Sequence, residues 1–138
     1  MRRVGAAAVG LGLLAACGLV SGAAKKGSCD FRAAPDSTLR CETISDTDIT
    51  RQATTIEGLK LLCSNGLGTF INGDCPKAGI VAGCQLGGNQ SGAGEVTTNW
   101  YYNDADLDAG LHDVFSGPDD VKTKQCDRGD SPSTLVMP

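Results

Sequence analysis

CSNGLGTFINGDCPKAGIVAGC, residues Cys63 to Cys84, is the stretch on which this 138-residue chain turns. It carries three of the seven cysteines. Asn65-Gly66 supplies a left-handed stop for a helix arriving from upstream. Thr69-Phe70-Ile71 reads as a short strand closed by the Asn72-Gly73 turn. Pro76 fixes a bend after Cys75. Ile80, Ala82, Cys84 and Leu86 then alternate onto one face of a longer strand. The stretch is therefore the hinge between two halves of one small cross-linked domain.

Upstream, Cys29 to Arg32 and Leu39 to Thr43 alternate apolar and polar residues around Pro35-Asp36-Ser37, which predicts a hairpin. Ser45 to Thr50 is polar and loop-like. Thr54-Thr55-Ile56-Glu57 matches a capping box, and Ile56, Leu59, Leu62 and Cys63 follow at helical spacing. An earlier helix start near Asp48 also fits, because Ile49 and Ala53 continue the stripe. Gly58 inside this helix costs about 1 kcal/mol relative to alanine.

Downstream, Gly87 to Gly94 is a Gly/Asn/Ser loop. Glu95 to Tyr102 is a strand with Val96, Thr98, Trp100 and Tyr102 on one face and Tyr101 on the other. That alternation places Trp100 and Tyr102 in the core and leaves Tyr101 outside. Leu107, Leu111, Val114 and Phe115 have helical spacing, so a short helix is expected from about Asp104. Gly117-Pro118 ends it and opens another, with Pro118 at the first helical position and Asp119 and Asp120 at its positive end. Residues 127–138 read as a loose polar tail.

Aromatics are scarce, with one Trp, two Tyr and three Phe, and nineteen glycines raise the cost of ordering the backbone. A core so thin calls for disulfides. The N-terminus gives the compartment that permits them. Met1-Arg2-Arg3 is a positive n-region, and Val4 to Ala16 is an uncharged run of signal-peptide length, too short for a bilayer span. Losing Arg2 and Arg3 with the leader takes the net charge from −4 to −6. An acidic chain without a basic cluster is no nucleic-acid binder.

Leu14-Ala15-Ala16-Cys17 resembles the lipobox of bacterial prelipoproteins. That resemblance implies cleavage before Cys17, acylation of its thiol and a permanent anchor, since each buried CH₂ contributes about 0.8 kcal/mol. With Gly18 rather than Asp after it, the pattern implies the outer membrane in a diderm envelope. The alternative is an ordinary signal peptide continuing through Gly18-Leu19-Val20 and cut after Ala23 or Ala24. The expected organisation is a signal peptide over 1–16, an acylated Cys17 with linker over 17–27, a stapled ectodomain over 28–126 and a tail over 127–138. The order of cysteines and flanking residues from Gly27 to Cys126 also resembles small cysteine-rich secreted or lipid-anchored bacterial proteins, which implies compartment and cross-linking but no activity.

Two halves share an order of features, a cysteine-bearing hairpin followed by a helix ending in a cysteine. Thr54 to Cys63 and Gly117 to Cys126 each run nine positions, with Glu57 and Asp120 three after the cap. If the halves are related, Cys84 pairs with Cys126 and Cys29 with Cys63, leaving Cys41 for Cys75. A local alternative pairs Cys29 with Cys41 and Cys63 with Cys75, each enclosing eleven residues. The fold class expected is α+β: a small disulfide-stapled domain of antiparallel hairpins with short helices, arranged as two related ββα halves.

Motifs for chemistry are few. No cysteine pair has zinc-finger spacing, and His112 is the only histidine. Nucleophile-elbow, phosphate-loop and metalloprotease patterns are absent, so no catalytic residues, no cofactor and no enzymatic activity are expected. Asp104, Asp106 and Asp108 form an alternating carboxylate run that suits Ca²⁺. However, Ala109 stands where an EF-hand needs glycine and Phe115 where it needs glutamate. Arg128-Gly129-Asp130 with Ser131-Pro132 matches a cell-attachment motif and equally an exposed turn. Trp100-Tyr101-Tyr102 is a candidate stacking platform for sugars or peptides, against the simpler reading as core. The expected function is an exported, lipid-anchored envelope protein acting as a non-enzymatic structural or interaction module. Its partners would be the membrane and an unidentified envelope or extracellular protein. The alternative is a freely secreted binding protein, whether adhesin-like, calcium-dependent or inhibitory.

Overall fold

The computed structural model describes residues 25–34, 39–48, 50–87, 94–103, 114–128 and 133–138. β1 (Lys25–Asp30) and β2 (Arg40–Asp46) form the expected hairpin. α1 (Gln52–Asn65) and β3 (Thr69–Ile71) follow. β4 (Ile80–Gly87) and β5 (Glu95–Tyr102) form a second hairpin. α2 (Pro118–Val121) widens into a π-helical turn over Lys122–Cys126, and β6 (Thr134–Val136) closes the chain. The strands make one antiparallel six-stranded sheet in the order β3-β1-β2-β5-β4-β6. The domain is α+β, stapled by three disulfides, Cys29–Cys63, Cys41–Cys75 and Cys84–Cys126.

The strand order is symmetric about its middle. One row across the sheet reads Phe70, Cys29, Glu42, Asn99, Cys84, Leu135. A pseudo-twofold between Glu42 and Asn99 exchanges β1 with β4, β2 with β5, and β3 with β6. It also exchanges Cys29–Cys63 with Cys84–Cys126, so the bridges follow the internal repeat and not the local pairing. Each half is ββαβ rather than ββα, since Thr69-Phe70-Ile71 and Thr134-Leu135-Val136 both pair with the cysteine-bearing strand of their half.

Among the described residues both helices lie on one face. Leu59 and Cys63 of α1 pack with Cys29, Phe31, Ile44 and Phe70. Val121 and Cys126 pack with Ala82, Cys84, Tyr101 and Phe115. Between these clusters the sheet is polar: Arg40 Nη1 donates to Asn99 Oδ1 at 3.4 Å and lies 3.8 Å from Glu42. On the opposite face Leu39, Cys41, Cys75 and Tyr102 form a third cluster. The segment crossing there is 72–79, the middle of the Cys63–Cys84 stretch.

Several expectations need correction. β1 already includes Lys25 to Gly27, expected in the linker, because they pair with Asp46, Ser45 and Ile44. Residues 134–136 are no loose tail, because the outer edge of β4 takes them as a partner. β2 runs to Asp46, shortening the loop before α1. The capping box at Thr54 does not form. The helix starts earlier, where Asp48 Oδ1 accepts the Thr50 N–H at 2.9 Å and the Gln52 N–H reaches the Asp48 carbonyl at 3.0 Å. The buried stripe of α1 is Gln52, Leu59 and Cys63, and Leu62 is 66% exposed. Gly66 does not take the left-handed conformation; Leu67 does, with φ 60°. Finally, Val81 is the extra residue of a bulge in β4, so Ile80 joins Tyr102 on the face opposite Ala82 and Cys84.

Candidate functional site

Among the described residues, the third bridge holds one wall of a cavity. Cys41–Cys75 pins segment 72–79 across the helix-free face, and three further contacts hold it there. Ser28 Oγ donates to the Gly73 carbonyl at 2.6 Å and meets Thr43 Oγ1 at 2.9 Å. The Tyr102 hydroxyl donates to the Pro76 carbonyl at 2.6 Å. Burial pushes the Tyr102 phenol up to about 12, with Arg32 opposing the rise and Asp30 adding to it, so it remains a donor at physiological pH. Lys26 Nζ bonds Asp74 Oδ1 at 2.9 Å, with both side chains half exposed.

Beside this strap lies a cavity of about 190 Å³ lined by Lys26, Asp74, Cys75, Lys77, Ile80, Trp100 and Pro138. Trp100 pairs across the strands with Gly83. A Cβ on Gly83 would fall 2.7 and 2.9 Å from the Trp100 ring atoms Cε3 and Cζ3, and Thr98 Cγ2 lies 3.1 Å from the same point. The Cε3–Cζ3 edge of the indole therefore occupies the space off the sheet where a side chain at Gly83 would stand. Only glycine permits so close an approach.

Trp100 is therefore half-buried and lines a cavity, whereas Tyr101 is 7% exposed and packs edge-on to Phe115 at 5.2 Å. This reverses the expectation of an internal Trp100 and an external Tyr101. Alternation assigned their faces correctly, but α2 and Phe115 cover the Tyr101 side. Lys26, Asp74, Lys77 and Gly83 do not stand out in the sequence. The signals that could have found them are the Cys75 bridge, which carries Asp74 and Lys77 onto the sheet, and a glycine opposite the one tryptophan.

The six cysteines are brought together pairwise as described. Cys17, His112 and the run Asp104, Asp106 and Asp108 lie outside the described residues, as do Gly129 and Asp130, while Arg128 is exposed. Among the described residues no group of three or more His, Cys, Asp or Glu side chains is placed to hold a metal. Among them, too, no helix is long and apolar enough to cross a membrane. A second surface feature is the exposed trio Leu61, Leu62 and Leu67 around the end of α1. Comparison of the chain with protein-family models, with curated proteins and with solved structures finds no match.

Proposed function

We propose that the chain is an exported protein, anchored through an acylated Cys17, that works at the cell envelope as a non-enzymatic interaction module. The observation that carries this reading is the set of three bridges across a domain with so few bulky side chains. Such cross-linking suits an oxidising compartment and a thin core. The signal-like leader and lipobox-like LAAC supply the route and the anchor. With β1 beginning at Lys25, seven residues separate Cys17 from the sheet. A tether of that length holds the domain within about 25 Å of the lipid surface.

The binding side of the proposal rests on the Trp100 cavity, whose charged lining side chains are Lys26, Asp74 and Lys77. These are recognition groups, a donor, an acceptor and a second cation, without a nucleophile activated by a base. Intact mass and fractionation of the mature protein test the anchor. The expected result is a blocked N-terminus at Cys17 carrying the mass of acyl chains, in the membrane fraction. A mature protein starting at Ala24 or Lys25, recovered from the medium, would replace this reading with free secretion. The apolar Gly18-Leu19-Val20 after Cys17 favours that second reading.

A further inference from the structure

Resting on the reading of the chain as an interaction module, we propose that the Trp100 cavity binds a single acidic sugar residue, a carboxylate-bearing pyranose within a glycan. Four observations combine. The half-buried Trp100 indole packs against Gly83 and lines the cavity, an apolar ring of the kind on which the axial C–H groups of a pyranose stack. At the rim, Lys26 Nζ and Asp74 Oδ1 sit 2.9 Å apart, an adjacent donor and acceptor that neighbouring hydroxyls can bridge. The exposed Lys77, also lining the cavity, has no ion-pair partner for its ammonium among the described residues, which leaves a cation for a carboxylate. A lysine serves such a group as a point charge.

The dimensions select the unit. Sites that enclose a whole small molecule run to roughly 300–1,000 Å³, and about 190 Å³ falls below that range. The cavity therefore suits one residue of a longer polymer, with the rest of the chain running across the sheet surface. A proline-rich peptide would want a groove with several aromatic walls. Here a single aromatic is ringed by three charged side chains, which match hydroxyls and a carboxylate better than an apolar ring.

The chain's one tryptophan is the proposed platform, so intrinsic fluorescence reports on the site directly. The mature protein, in detergent if acylated, is titrated with an oligosaccharide of alternating glucuronic acid and N-acetylglucosamine. A neutral oligosaccharide of N-acetylglucosamine serves as the comparison. A saturable change with the acidic probe, at least about tenfold tighter than with the neutral one, is expected. Lys77→Gln should weaken the acidic probe by about two- to fivefold, as befits an exposed charge, and leave the neutral one unchanged. Trp100→Ala, followed by calorimetry, should abolish saturation while the three bridges keep the fold, checked by circular dichroism. Equal affinity for both probes, or binding unaffected by Lys77→Gln, overturns the acidic assignment. No saturable response to either probe overturns the sugar site. If Trp100→Ala unfolds the domain, Trp100→Phe, which keeps an aromatic in place, must show weakened binding or the platform is wrong. Each failure leaves the mass and location of the mature protein untouched, so the envelope reading stands or falls separately.

Discussion

Removing the Cys84–Cys126 bridge by the double change Cys84→Ala and Cys126→Ala is the perturbation that probes the stapling most directly. The bridge ties β4 to the end of the π-helical turn across 42 residues of sequence. Chain entropy for a loop of that length corresponds to about 4 kcal/mol. A domain of this size has a total of roughly 5–15 kcal/mol, so about a quarter or more of the stability rests on one bond. α2 cannot compensate, since four residues and one widened turn are far below the length at which a helix holds itself. With roughly 4–8 °C per kcal/mol for small domains, the melting temperature should fall by about 15–30 °C. Urea and thermal melts followed by far-ultraviolet circular dichroism measure this.

The symmetric counterpart supplies the control. Cys29–Cys63 spans 34 residues, so its removal should cost nearly as much, within a few tenths of a kcal/mol on chain entropy. A large gap between the two variants would measure what each bridge does in the folded state. Should either variant melt within a degree or two of the parent, the claim that bridges replace a bulky core is refuted. That claim fails equally if the parent melts alike with and without strong reductant.

Other outcomes follow from single residues. Burial raises the pKa of Glu42, opposed by Arg40; such a group's stability is present below the unfolded value near 4.3 and lost as pH rises through the folded one. Glu42→Gln should therefore raise the urea midpoint at neutral pH and lose that advantage below about pH 4. Leu67 holds φ 60° at 69% exposure, so Leu67→Gly should stabilise by about 1 kcal/mol, read in the same melts. Gly83→Ala would set a methyl 2.7 Å from the Trp100 ring. It should cost about 1–3 kcal/mol as overpacking and shift Trp100 emission to the red as the indole lifts into solvent.

Much of the fold was legible because local chemistry and global structure agree. The hairpin of β1 and β2, the strand Glu95–Tyr102 and the helix opening at Pro118 were each marked by turn residues and by period. The bridge pattern was legible for a different reason: two cysteines recur at matched places in a repeat. The errors cluster where a neighbour overrides the local pattern. A bulge at Val81 cannot be seen in alternation, since it changes the face of Ile80 without changing the sequence around it. Thr134-Leu135-Val136 is too short to declare itself, and becomes a strand because β4 offers an unpaired edge. Trp100 reads as core on aromatic scarcity alone. Its exposure depends on Gly83 across the ladder and on a strap that covers only part of that face.

The pseudo-twofold explains why the cavity lies where it does. Superposing the halves carries Cys29 onto Cys84 and Glu42 onto Asn99, and so carries the cross-strand pair Ser28 and Thr43 onto Gly83 and Trp100. In the first half this pair is two buried hydroxyls, 2.9 Å apart, which anchor the strap through the Gly73 carbonyl. In the second half the same positions hold a bare backbone with an indole laid on it. Segment 72–79 links the halves and carries the bridge Cys41–Cys75, and the position that superposes on Cys41 is Thr98. A repeat needs matching residues only where both copies do the same structural work. The helix face obeys it, with matching bridges and matching edge strands. On the opposite face the match breaks at Cys41, whose counterpart is Thr98, and at the pair Ser28 and Thr43, whose counterparts Gly83 and Trp100 border the cavity instead of anchoring a strap.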